Sequence, residues 1–447
     1  MGFGAIADGR ATQALKWIIA RKESDGDVKE KQKALGSAIL IWFYFLPITL
    51  LVVGGLVLAL PTLINEVDLV YRNSILKIGV ILGVNILVSP LLSIPDSLLI
   101  GTNRGYKSTL IQAMGHVLLN LCFLVVAYFG YGLIGMAVST VGITLLNGIV
   151  VWIICKKSIS WLGVSKPNKE ETRQFFNFSL WVLIWTFIER FILASEIVLI
   201  GYFISPEMVT NYSFMSYSIQ LIIVLALHTA SGSMPGLGRL LNKDKNKAGS
   251  IVRILRELIY SLTLVGGIII ILFNFSFVKL WVGKEFFIGN LENTLSVIAM
   301  MSLVIMRLES QIIDLSLSIF KKVILGITGL LIGLVFSYFL FLQGYSTNGI
   351  LTGIIIGRLL IWIFLSNQVN AFVRISITWI GLLKILLGML TLILIADIRL
   401  SLDNWIQFGL WLIPLSLITG LCITWIISSR STKSFIGSLV RNKVINK

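Results

Sequence analysis

Apolar stretches of about 20 residues recur from residue 36 to residue 428, and that recurrence limits the fold more than any other feature. Each is long enough to cross a hydrocarbon core about 30 Å thick as a helix. In lipid every backbone N–H and C=O must find a partner within the protein, so the choice is a helix bundle or a closed barrel. The stretches are continuous and lack period-two alternation, which selects helices. Only 13% of the 447 residues are charged, against about 25% in a soluble domain, so the chain lacks polar surface for a water-soluble globule. The class is therefore all-α, a polytopic membrane helix bundle.

The spans read as 36–60, 78–102, 109–130, 133–155, 178–203, 208–237, 258–276, 294–320, 323–343, 349–368, 379–397 and 406–428, about twelve helices. Sorting the 37 Lys and Arg by the loops between these spans puts 28 on one side, 5 on the other and 4 within spans. The positive-inside rule makes the richer side cytoplasmic, with both ends of the chain there. This accounts for the net charge of +16 through topology, with anionic lipid headgroups as a secondary partner and no nucleic acid. Cys122, Cys155 and Cys422 lie far apart, in no metal or disulfide spacing, and read as small apolar packers. His116 and His228 read as packed, hydrogen-bonded imidazoles.

The first residues, Met1 to Ile6, are apolar and lead into a polar run from Asp8 to Lys33, without the order of a signal peptide. That pattern resembles the cytoplasmic end of a helix. Further on, a repeat emerges. The stretch from Ser93 and the stretch from Arg307 each hold a helix with mid-span charge, a basic turn, a helix, a Gly/Tyr turn and a Gly-rich helix. Lys107 pairs with Lys321 and Gly135 with Gly349, both at an offset of 214. The basic loop Arg10–Lys33 and its helix likewise match Arg239–Arg256 and the helix after it. The expected organisation is an N-terminal bundle over 1–165, a C-terminal bundle over 166–370, and two further helices with a basic tail over 371–447. Repeats of this kind are how secondary transporters build alternating access around a central site.

Three stretches carry a family resemblance: GFGAIADGRATQALKWIIARKESDGD at the N-terminus, SLLIGTNRGYKSTLIQAMG at 97–115 and SEIVLIGYFISPEMVTNYSFMSY at 195–217. With the helix number and the repeat, the chain resembles the polysaccharide transporter branch of the multidrug/oligosaccharidyl-lipid/polysaccharide exporter (MOP) superfamily, the Wzx-type flippases. In the third stretch the resemblance falls on Glu196, Gly201 and Tyr212. It implies fourteen helices, two pseudo-repeated six-helix bundles plus two, so that this chain would be shortened by its first one and three-quarter helices. It also implies a polyprenyl-diphosphate-linked oligosaccharide as cargo, a plasma (inner) membrane location, and a polysaccharide polymerase with chain-length machinery as partners.

An ionisable group at mid-bilayer costs about 2.5–3.5 kcal/mol on insertion scales, so such groups face a cavity or a partner. On the span 294–320, Arg307, Gln311, Asp314 and Ser318 share one helical face. The repeat-related span 78–102 carries Asn85, Ser89, Ser93 and Asp96, with Pro90 and Pro95 to kink it. Glu189 and Glu196 share a face of 178–203 with Arg190 beside it, and Arg358 lies in a Gly349–Gly353–Gly357 stripe that admits close helix approach. Arg190, Arg307 and Arg358, with Gln311 and Asn85, are the candidate substrate cavity, because guanidinium suits phosphate oxygens. Asp96, Glu189, Glu196 and Asp314 would balance them or take a coupling H⁺ or Na⁺. The alternative is internal ion pairing, for instance Arg307 with Asp314 or Glu189 with Arg190.

No phosphate-binding Gly-rich loop, metal cluster or long outer loop with paired carboxylates stands out, so no catalytic residue, cofactor or metal is assigned. The expected function is flipping the lipid-linked oligosaccharide from the cytoplasmic to the outer leaflet by alternating access, without catalysis. A cation-coupled multidrug exporter, a membrane-embedded acyl- or glycosyltransferase and a non-transporting chain remain open alternatives.

Overall fold

A computed structural model describes residues 9–22, 27–63, 69–375, 379–429 and 431–434. The apolar scrap at Met1–Ile6 and most of the basic C-terminal tail lie outside the described residues. Among those described there is no strand, and fourteen α-helices follow one another. They are α1 (Ala11–Lys22), α2 (Val28–Leu63), α3 (Leu69–Gly101), α4 (Gly105–Tyr128), α5 (Gly132–Ser158), α6 (Lys169–Phe203) and α7 (Pro206–Met215). Then come α8 (Tyr217–Lys243), α9 (Lys245–Trp281), α10 (Asn290–Asp314), α11 (Phe320–Leu342), α12 (Ser346–Val373), α13 (Trp379–Leu394) and α14 (Trp405–Ile427). The twelve expected spans correspond to α2–α6, α8 and α9–α14. Ten of these are long and apolar enough to cross a membrane. The other two are α6, which carries Glu189, Arg190 and Glu196, and α13, which has 16 residues.

By internal contact the chain divides into two compact units, Met1–Phe187 with Leu317–Ile319, and Ile188–Ser316 with Phe320–Lys447. The sequence reading set a boundary at 165/166 and a separate segment at 371–447. In the structure the division falls inside α6, and α13 and α14 pack on α9 within the second unit.

In the first unit α3 packs against α1, α2, α4 and α5. The polar run Asp8–Lys33 hides a helix, α1, which buries Leu15, Trp17, Ile18 and Ile19. Those apolar residues recur at helical spacing between Arg10 and Arg21, and that periodicity wins over the mean polarity of the run. Helix α6 starts on a capping box: Asn168 Oδ1 accepts from the Glu171 N–H at 2.7 Å, and Glu171 Oε2 accepts from the Asn168 N–H at 2.8 Å. Glu171 also pairs with Lys33 of α2 at 2.7 Å. The Lys33 hydrogen bond, then the Asn168 backbone N–H, lower its pKa.

In the second unit α10 is buried along most of its length and packs on α8, α9, α12 and α13. Helices α11 and α12 cross at glycines. A Cβ at Gly357 would lie 2.6 Å from the Gly329 carbonyl oxygen, and one at Gly353 would run into the Ser337 backbone. Only hydrogen there lets the two backbones meet. The expected span 208–237 is broken at Ser216 into α7 and α8, and Asn274 of α9 occupies the break. Its Nδ2 donates to the Met215 carbonyl at 2.8 Å and to Asn293 Oδ1 at 2.8 Å, while Ser218 donates to its Oδ1 at 2.7 Å. The side-chain amide satisfies a carbonyl that the interrupted helix cannot.

The repeat is visible in the helix ends. Gly101, Tyr128 and Ser158 close α3, α4 and α5, and Asp314, Leu342 and Val373 close α10, α11 and α12, displacements of 213 to 215 residues. The turns repeat too: Asn103 and Leu317, 214 apart, are both left-handed, with φ of 61° and 59°.

Candidate functional site

Among the described residues of the second unit, eight charged side chains on helices form four acid–base pairs. Arg358 on α12 is 3% exposed. Its Nη1 donates to Glu196 Oε1 at 2.6 Å and to the Ala299 carbonyl at 3.1 Å, and its Nη2 donates to the Ile192 carbonyl at 2.7 Å. The other oxygen of Glu196 accepts from the Tyr212 hydroxyl at 2.5 Å. The two polar members of the family-like stretch, Glu196 and Tyr212, thus bond to each other, and Glu196 in turn holds Arg358. Arg358 also lines a shallow cleft with Ile192 and Ser195 of α6 and Gly329, Gly333 and Gly357 of α11 and α12, and its Nε is buried without a hydrogen-bond partner.

The second pair is Arg307 of α10 with Glu189 of α6, whose side chains keep 14% and 22% exposure. The third is Lys322 of α11 with Asp314 of α10. Lys322 is fully buried, and its Nζ also donates to Ser310 Oγ at 3.2 Å. In the fourth, Arg256 of α9 grips Glu309 of α10 through two bonds of 2.7 Å and donates to Asn370 Oδ1 at 2.7 Å. This is the two-pronged geometry that suits guanidinium to carboxylate.

The ion pairs differ from those expected. Asp314 pairs with Lys322, and Glu189 pairs with Arg307. Arg190 is exposed and stands outside the four pairs. Gln311 is half-buried beside them in sequence, and its Oε1 is buried without a hydrogen-bond partner. Ser318 leaves the shared face because α10 ends at Asp314 and the chain turns. Asn85 and Asp96 belong to the first unit, where both are partly exposed on α3. His116 and His228 are exposed, not packed.

Two pairs went unread in the sequence. By sequence Lys322 and Arg256 fall among the 28 cations of the loops, outside the expected spans, yet each lies on a helix and is satisfied by a buried acid. Glu309 carried the missing signal: it is an acid at mid-span, two residues from Arg307. Two residues on a helix turn a side chain to the opposite face, so Glu309 joins α9 while Arg307 joins α6.

These pairs hold acid and base within hydrogen-bond reach of each other inside the second unit. No curated protein matches the chain in sequence. Its fold is similar to that of a MATE protein in the bent conformation, 14% identical over 84% of this chain and 86% of that one, with a TM-score of 0.68. It is also similar to a multidrug resistance MATE family transporter of the MOP superfamily in an outward-facing conformation, 17% identical over 84% and 86%, with a TM-score of 0.67. A third similar structure is a MOP superfamily transporter from Pyrococcus furiosus, in which reverse polarity of the binding pocket suggests a different function (15% identity, 83% and 86% coverage, TM-score 0.64). The polysaccharide biosynthesis protein family model matches residues 29–286. This multi-pass membrane chain therefore belongs to the polysaccharide biosynthesis protein family and has a MATE-like fold.

Proposed function

We propose that this chain flips a polyprenyl-diphosphate-linked oligosaccharide from the cytoplasmic to the outer leaflet of the plasma membrane, with both termini cytoplasmic. Alternating access carries the headgroup across, the lipid tail stays in the bilayer, and the chain acts as a carrier and not an enzyme. Family membership and the transporter fold support the class. The observation that carries the cargo is Arg307. Arg358 commits both terminal nitrogens to Glu196 and two carbonyls at 3% exposure, whereas Arg307 keeps 14% exposure beside Glu189. A diphosphate offers Arg307 a more highly charged partner of the same geometry as the carboxylate it already holds. The released oligosaccharide would pass to a polysaccharide polymerase and its chain-length machinery.

A second reading, cation-coupled multidrug export, draws on the MATE-like fold and on Asp96, a partly exposed acid on a membrane helix. Liposomes carrying the protein and a fluorescent polyprenyl-diphosphate oligosaccharide separate the two. Under the flippase reading the wild type flips the lipid, and Arg307→Gln slows flipping by about tenfold, the loss of one charge-assisted contact. A wild type that leaves the lipid in place and exports cationic dyes would put the drug-exporter reading in its stead.

A further inference from the structure

Within five positions, helix α8 carries three residues that a helix interior disfavours: Gly232, Pro235 and Gly236. Proline lacks the N–H that the Ser231 carbonyl would receive, and glycine leaves the backbone freer than any other residue. Yet α8 runs unbroken from Tyr217 to Lys243. Packing explains the glycines of the α11–α12 crossing, where a Cβ would run into the facing backbone. At Gly232 and Gly236 nothing lies within 4 Å of such a Cβ, the helix's own backbone apart. The face of α8 that does pack is another one. It holds Ala230, Met234, Leu237 and Leu241, at i, i+4, i+7 and i+11, each at most 1% exposed.

The hydroxyls of this stretch do not fasten it to a neighbour. Thr229 donates to the Leu225 carbonyl at 2.8 Å, Ser231 to the His228 carbonyl at 3.2 Å and Ser233 to the Thr229 carbonyl at 3.2 Å. All three bonds return to α8 itself, and hydroxyls that bond back in this way bend helices. Near its start α8 is tied by a directional bond, from Ser218 to Asn274 of α9. Along Ala230, Met234 and Leu237 the packed face is apolar, and apolar contact is non-directional, so one helix can slide on another there.

The repeat supplies a second shape for the same point. The basic loop from Arg10 matches the one from Arg239, so Gly9 and Arg10 correspond to Gly238 and Arg239. In the first unit Gly9 and Arg10 are both left-handed, with φ of 55° and 61°, which no right-handed helix runs through. In the second unit α8 continues through Gly238 and Arg239. One position of the repeat is thus a break in one unit and an unbroken helix in the other.

We infer that residues 231–238 are a hinge at which α8 bends and straightens, and that the transport cycle uses the bend. Its part in transport rests on the carrier function proposed above; the hinge itself does not. The unbroken α8 is one of its two states, and a run of Ser, Gly and Pro is where helices kink sharply. Residues that disfavour the straight helix and serve no packing lower the cost of leaving it.

The test is the double variant Gly232→Ala, Gly236→Ala, which adds two methyl groups where nothing stands in the way and favours the straight helix. Its melting temperature in detergent should rise by about 2 °C. Amide hydrogen exchange over residues 229–241 should slow at least about tenfold, because the bent state is depleted by that factor. Flipping of the polyprenyl-diphosphate oligosaccharide in liposomes should slow about tenfold for the same reason. Gly353→Ala, whose Cβ would meet the Ser337 backbone, shows the fall in melting temperature expected of a packing glycine. A similar fall in the double variant, or failure to fold, assigns Gly232 and Gly236 to packing and overturns the hinge. A higher melting temperature with unchanged exchange overturns it too, since α8 would then be rigid. Slower exchange with unchanged flipping removes the hinge from the transport cycle. If the wild type flips no lipid, the proposed function fails, and melting and exchange still decide whether α8 bends.

Discussion

Tyr212 donates its hydroxyl to Glu196 at 2.5 Å, on the carboxylate oxygen that Arg358 does not hold. The phenol therefore completes the solvation of an anion whose countercharge is 3% exposed. Removing the phenol costs one hydrogen bond to a charge, about 1.5–3 kcal/mol. Removing the carboxylate leaves Arg358 buried and unbalanced, about 3–5 kcal/mol. Thermal unfolding in detergent should rank Glu196→Ala below Tyr212→Phe, with the wild type highest. An inverted order would mean that the pair is not the buried anchor described.

Lys322 and Asp314 give a sharper contrast, because Lys322 is fully buried. Lys322→Met strands the acid and should destabilise by about 3–5 kcal/mol. The double variant Lys322→Met, Asp314→Leu removes both charges and should recover most of that loss. A double-mutant cycle on melting temperatures measures the coupling, and additive losses would contradict the pairing.

Leu317 stands where the repeat has Asn103, and both are left-handed. A branched side chain in that conformation costs about 1–2 kcal/mol, and asparagine tolerates it better. Leu317→Asn should raise stability by about 1 kcal/mol, read as a higher melting temperature. The reverse exchange, Asn103→Leu, should lower it.

At the start of α6, outside the expected span 178–203, Glu171 has its pKa lowered by the Lys33 hydrogen bond and then by the Asn168 N–H. A lowered folded-state pKa stabilises above the ordinary value and loses that contribution as protons bind. The contribution is whole above pH 4.5 and fades below it. Because the site is exposed the effect is small. The melting-temperature gap between wild type and Glu171→Gln should be present at pH 7 and close as the pH falls below about 4.

The all-helical class, the twelve spans and the repeat were legible because hydrophobic length and the 214-residue offset are linear properties of a chain. The arginines and acids of α6, α10 and α12 were legible as well, since charge inside an apolar run stands out. Their partners were not. Glu309 and Arg307 are two residues apart and face different helices, so pairing depends on which helix lies where. Lys322 followed a basic turn and looked solvated until α11 began two residues earlier, at Phe320. Asn274 shows the same limit at the Ser216 break. A single amide on α9 decides that one apolar run becomes two helices, and no local pattern marks it.

The four acid–base pairs of the second unit have an electrical consequence. Each sums to zero, so a motion that carries both partners together moves no net charge through the field. A transmembrane voltage does about 2.3 kcal/mol of work per elementary charge per 100 mV, and on such a pair that work cancels. For a carrier of diphosphate cargo, the return of the empty protein is then indifferent to voltage as far as these pairs are concerned. Under the proposed flippase function the cargo's own anionic charge is what the field acts on, so polarisation of the membrane would bear on the loaded step.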